Sequence, residues 1–164
     1  MKQLLVAIGL IATSLMGTAQ DRLREMPIEQ LDVVYQVQQK PVVVFLHTDW
    51  CTFCKTMEHT TFRNEKVVDQ LNDDYFFIPF NAETDKTIQF FGMTFEPESR
   101  GRSVVSTLAR SLAEVDGMVS YPSTVILNTK GEIVFRKQGF ISADAMEVIL
   151  EQIADERSAF MGRE

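Results

Sequence analysis

The order of elements read along the chain predicts an α/β fold, a mixed central sheet of about four strands flanked by helices, in a single domain. Three observations predict it. Residues 42–46 form an unbroken apolar, β-branched run, as a strand buried on both faces requires. A helical stretch separates this run from a second one at residues 75–80, and strand, helix, strand at that spacing is a right-handed parallel unit. Further on, residues 124–127 and 132–137 are joined by the short polar link Asn128-Thr129-Lys130-Gly131, which makes an antiparallel hairpin.

The elements follow in order. Pro27 opens a helix in which Ile28, Leu31, Val34 and Tyr35 recur at helical spacing until Lys40-Pro41 ends it. After the strand at 42–46, residues 51–71 read as a helix interrupted near Thr60-Thr61 and restarted by Asn64 as a cap. Pro79 cannot donate to a ladder, so the strand at 75–80 belongs at a sheet edge, and no strand before Pro27 is expected to flank it. Residues 84–102 form a long connection carrying Phe90, Phe91, Met93 and Phe95. Those side chains either fill a local satellite core or build an apolar wall for a partner. Ser103 is expected to cap a helix whose stripe is Val104, Val105, Leu108, Leu112 and Val115, with Gly117 as its stop. Ser142 caps the last helix, with Met146, Ile149, Leu150 and Ile153 on one face.

Composition narrows the function. The 164 residues carry Lys+Arg 16 against Asp+Glu 23, a formal net charge of −7. That balance argues against nucleic acid or an anionic membrane surface as a main partner, since both are bound through clustered Lys and Arg. At the N-terminus, Lys2 precedes an apolar run at residues 4–16, followed by Gly17 and Ala19, the pattern of a secretory signal peptide over residues 1–19. As a membrane anchor the run falls short of the roughly 20 residues that span a bilayer. The expected mature domain, residues 20–164, is periplasmic or secreted, without stable membrane insertion after cleavage. Export brings an oxidising compartment, yet the two Cys stand three positions apart and cannot staple distant parts of a fold. They serve redox chemistry or form half of a metal site.

Trp50-Cys51-Thr52-Phe53-Cys54-Lys55 begins just beyond the buried strand and opens the next helix. Unpaired N–H groups at a helix N-terminus carry roughly half a positive charge, which favours a thiolate over a thiol. Lowering a thiol pKa from about 8.5 toward 7 takes roughly 2 kcal/mol, within reach of such a terminus. Cys51 is therefore expected as the nucleophile and Cys54, one turn deeper, as the sheltered resolving thiol. Cys51 would attack a client disulfide and Cys54 would resolve the mixed disulfide; run backwards, the same steps donate a disulfide.

The motif after a buried strand, Tyr121-Pro122 before the hairpin and Gly139 before the last helix together resemble the thioredoxin superfamily across nearly the whole mature chain. The resemblance implies a thioredoxin fold with an insertion before a cis-Pro loop, that loop facing the Cys pair, and Trp50, Tyr121 and Pro122 as the substrate site. Asp49-Trp50-Cys51, Cys54-Lys55, Glu58 and Thr61-Phe62 are similar to the C-terminal thioredoxin-like domain of the thiol:disulfide interchange protein DsbD. That likeness implies protein thiol/disulfide substrates, a membrane or soluble electron donor, and no cofactor beyond a redox-active Cys51–Cys54 disulfide. It favours a reductase; a disulfide-donating oxidase and a non-catalytic binding or chaperone module are the alternatives.

One departure from the family bears on mechanism. Many relatives carry a buried Asp on the strand before the motif, and the matching position here is Phe45. Glu58 lies four residues after Cys54, about 40° around an ideal helix, on the same face one turn on. It is a candidate acid-base group for Cys54; the alternative is a solvent-facing Glu that pairs with Lys55. His47 could stabilise a thiolate at the site rim or be a partly exposed loop residue. His47, Cys51, Cys54 and His59 could also be read as a zinc set, but His59 stands about 140° around the helix from Cys54. Asp49 is expected to be solvated.

Overall fold

The computed structural model describes residues 22–101 and 103–161, so the signal-peptide assignment lies outside the described residues. A single turn, α1 (Leu31–Val34), precedes the central strand β1 (Val42–His47). Next come α2 (Thr52–His59), α3 (Glu65–Asp74) and β2 (Phe76–Asn81). The long connection holds β3 (Ile88–Phe90), β4 (Met93–Phe95) and β5 (Pro97–Arg100), and leads into β6 (Ser103–Ser106) and α4 (Thr107–Ala113). The hairpin β7 (Ser123–Leu127) and β8 (Ile133–Gln138) and the helix α5 (Ala143–Met161) complete the chain.

The main sheet has the order β2-β1-β7-β8. β1 runs parallel to β2, from Val42 opposite Phe76 to His47 opposite Asn81, and antiparallel to β7. The four-stranded mixed sheet is the one the sequence predicts. Alternation along β1 divides the interior, because successive side chains point to opposite faces. Val42, Val44 and Leu46 join one cluster with Leu108 and Leu112 of α4; Val43 and Phe45 join another with Cys51, Cys54, Met57, Leu71 and Met146.

Helix boundaries on the second face follow local chemistry. Asn64 caps α3, its Oδ1 accepting from the Val67 N–H at 3.3 Å, and a 3-10 turn at Thr61–Arg63 fills the expected interruption. The buried Thr61 hydroxyl donates to the Ile141 carbonyl at 2.6 Å, and the Tyr75 hydroxyl to the Leu150 carbonyl at 2.7 Å, which ties these turns to α5.

β2 is the sheet edge that Pro79 demands. The segment ahead of Pro27 nevertheless makes one parallel bridge there, Glu25 to Phe77, with the Met26 N–H on the Phe77 carbonyl at 2.8 Å. Two prolines, Pro27 and Pro79, stop that ladder from growing, since neither can donate.

Two expected helices differ. The first is only a 3-10 turn at Ile28–Gln30 followed by α1, because only Ile28 and Leu31 are buried while Val37 is 91% exposed. A further turn would have nothing to pack on, and packing supplies most helical stability. The second begins at Thr107 rather than Ser103: Ser103–Ser106 is the strand β6, paired antiparallel with β5. Val104 and Val105 are β-branched and suit a strand once a partner is present. The helix ends at Ala113, and Val115 and Met118 then close a tight turn through Asp116 and Gly117, both at positive φ.

The long connection is thus two hairpins. Phe91 and Gly92 turn the first at positive φ, as a two-residue hairpin requires. Ile88 and Phe90 are buried in the cluster that holds α4, Phe91 packs edge-on against Tyr35 at 4.9 Å, and the Gly92 N–H bonds Asp32 at 3.0 Å. These aromatics extend the core on the face away from the Cys pair; Met93 stays 57% exposed.

Candidate redox site at the Cys51–Cys54 pair

β1 delivers the chain to a turn in which the Cys51 N–H bonds the Thr48 carbonyl at 3.1 Å. Cys51 is the N-cap of α2, in extended conformation, and its Sγ accepts from the Cys54 N–H at 3.1 Å. A sulfur thereby takes the place a capping oxygen usually fills. Cys51 and Cys54 are joined in a disulfide, S–S 2.01 Å. Both residues are largely covered, Cys51 at 4% and Cys54 at 1% exposure, so the outer sulfur is approached through a small opening.

Apolar side chains ring that opening. Trp50 and Phe53 are each about two-thirds exposed. The Trp50 indole N–H donates to Glu83 at 3.0 Å, and its ring meets Tyr121 edge-on at 6.2 Å. Tyr121-Pro122 is a cis peptide, as the family resemblance implies. Tyr121 is half-buried, Pro122 is buried, and the Pro122 carbonyl accepts from the Gly139 N–H at 2.7 Å. Gly139 sits at φ 94°, a backbone conformation that favours glycine, which explains its place in the pattern. Burial, then the Glu83 charge, raises the Tyr121 pKa, keeping the phenol neutral beside the pair.

Glu83 and Asn81 were not legible as site residues. Asn81 donates to Asp49 at 3.1 Å and accepts from the Glu83 N–H at 2.9 Å, so the turn after β2 is bound to the turn before α2. Asp49 is exposed, as expected, but hydrogen-bonded. No spacing rule connects residues this far apart in sequence; only the parallel pairing of β1 and β2 brings them together.

Phe45 is fully buried between Phe62, ring centroids 4.8 Å apart, and Phe77, 6.5 Å apart. Glu58 is half-buried on α2 and lines a cleft of about 810 Å³ together with Phe45, His47 and His59. Among the described residues no salt bridge joins Glu58 to Lys55. The His47 ring stacks on Phe45 at 5.9 Å. His59 is exposed, its Nδ1 2.7 Å from the Lys55 carbonyl. Among the described residues no three His, Cys, Asp or Glu side chains are gathered closely enough to hold a metal.

The arrangement is a thioredoxin fold with a Cys-x-x-Cys disulfide at the start of its second helix. The chain belongs to the family of thioredoxin-like domains, whose sequence profile matches residues 29–154. A thioredoxin from Thermus thermophilus has a similar fold, with TM-score 0.58 and 19% identity, over 82% of this chain and 88% of that one. A thioredoxin-fold protein from Helicobacter pylori is similar at TM-score 0.56 and 17% identity, over 73% of this chain and 71% of that one. In sequence, 39 residues are 49% identical to the thiol:disulfide interchange protein DsbD of Yersinia pestis, a stretch covering 24% of this chain and only 7% of that protein.

Proposed function

We propose that this chain is an exported thiol-disulfide oxidoreductase that reduces disulfides of protein substrates, with Cys51 as the attacking sulfur and Cys54 as the resolving one. The observation that carries the reading is the Cys51 Sγ capping α2, 3.1 Å from the Cys54 N–H and closed in a disulfide with Cys54. Once the pair is reduced, the same N–H and the helix terminus favour negative charge on the outer sulfur. Trp50, Tyr121 and Pro122 frame the opening where a client segment binds. The short identity with a thiol:disulfide interchange protein supports disulfide exchange as the reaction, and the apolar leader supports export to the periplasm or beyond. A membrane or soluble electron donor then restores the dithiol.

In this reading Glu58 is the acid-base group for Cys54, the part played by a buried Asp in many relatives. Its half-burial and its place beside Phe45 in the cleft support that role over a purely solvated one.

Equilibration with glutathione tests the direction. A reduction potential toward about −270 mV marks a reductant, and one toward about −120 mV an oxidase. Alkylation of reduced Cys51 is expected to proceed as a thiolate at lower pH than free cysteine allows. If it does not, and Cys51→Ser leaves function intact, the pair is incidental.

A further inference from the structure

His47 lies outside the ring of residues at the disulfide opening, yet its position is tied to the chemistry through β1 and α2. Phe45 and His47 are two apart on β1 and so share a face, the face on which α2 packs. Cys54 and Glu58 are four apart on α2 and share a side of that helix. Phe45 belongs to the apolar cluster that encloses Cys54, and the cleft begins where that cluster ends, with Glu58 and His47 both on its wall. A cleft of about 810 Å³ is large enough for water to bridge wall groups that are not in direct contact.

We propose that His47 is the group that exchanges protons with Glu58 through this cleft, and so a positioning residue for the resolving step at Cys54. The inference rests on the oxidoreductase reading and deepens it. When Cys54 attacks the mixed disulfide, the Cys51–Cys54 bond forms and the bond from Cys51 to the client sulfur breaks. The client leaves as a thiolate with the electron pair. The Cys54 proton passes to the Glu58 carboxylate, from there to the His47 imidazole, and then to bulk water. Imidazole suits the last transfer because it both accepts and donates protons near neutrality.

The other charged groups on the cleft are accounted for. Arg22 and Glu25 enter from the N-terminal segment, His59 from the end of α2 and Arg63 from the turn after it. Neither Arg can take up a proton at neutral pH; Glu25 and His59 are both exposed, His59 with its Nδ1 against the Lys55 carbonyl, whereas Glu58 and His47 are partly buried on the wall beside Phe45. From β2 the cleft receives only Phe77 and Pro79.

The test uses single-turnover oxidation of the reduced chain by glutathione disulfide across pH, followed through Trp50, the one Trp of the sequence. His47→Gln is expected to slow the ring-closing step about 10-fold near neutrality, a modest share of what acid-base groups contribute, while Cys51 alkylation stays unchanged. Glu58→Gln is expected to slow it at least as much, and the double variant no more than Glu58→Gln alone, since the two act in series. A His47→Gln profile superimposable on that of the unchanged protein overturns the proposal, as does a double variant whose effects multiply. His47→Asn repeats the measurement should the Gln variant fold poorly. Failure of the unchanged chain to close the disulfide at all is a different result, which removes the oxidoreductase reading itself.

Discussion

The two faces of the central sheet are built from alternate residues of the same strands and do different work. On one, Val42, Val44 and Leu46 meet α4, α1 and the first hairpin of the long connection in an apolar cluster, with the small buried Ser123 beside Leu46. On the other, Val43 and Phe45 meet the helix that carries both cysteines, and the apolar packing runs up to a disulfide on one side and a cleft with charged walls on the other. The contrast places a closed, packed face behind the sheet and a partly open one beside the cysteines.

Substitutions can break this contrast, beginning with the largest effect. Cys51→Ser is expected to cut disulfide exchange by at least about 10³-fold, because the remaining thiol, Cys54, is covered and out of a client's reach. Insulin-type turbidity or fluorescent disulfide assays would read it.

Leu108→Ala and Met57→Ala form a matched pair, both side chains being fully buried but on opposite faces. Each is expected to cost about 2–5 kcal/mol of stability in denaturant unfolding. Only Met57→Ala should also alter the reduction potential, since it loosens the helix that holds the pair. Equal potentials for the two variants would mean that the faces are not functionally separate.

Thr61→Val is expected to cost about 1–2 kcal/mol by leaving the Ile141 carbonyl without its buried donor. Asn64→Ala should cost about 1 kcal/mol through loss of the α3 cap.

The smallest expected effect lies on the closed face. Burial pushes the Tyr35 pKa from 10.0 up to about 12. The folded state therefore holds the phenol proton more tightly than the unfolded chain. The stability linked to it is fully present below pH 10.0 and falls as pH rises toward about 12. Phenolate absorbance should show a component titrating at about pH 12, later than an ordinary tyrosine, that is lost in Tyr35→Phe.

The parts legible beforehand were those written in neighbouring residues. The buried run at β1, the cap at Asn64, the break at Thr60-Thr61 and the two cysteines at a helix start each depend on a few consecutive side chains. The start of α4 was misplaced for an equally physical reason. Val104 and Val105 stand at helical spacing from Leu108, and nothing nearby announces that Pro97–Arg100 folds back to pair with them. The first helix was overlong because periodicity does not say whether a partner surface exists; Val37 has none to cover it.

The chain by itself determined the disulfide-forming pair and the element that polarises it, because hydrogen-bond capping and ring closure over three residues are local events. It also determined the edge position of β2, since a missing N–H at Pro79 is a covalent fact. Only the tertiary structure decided that Glu83 holds Trp50, that Asn81 holds Asp49, and that His47 and Glu58 share one cleft. Those relations join side chains distant in sequence, and their geometry exists only once β1 and β2 are in register and α2 lies across them.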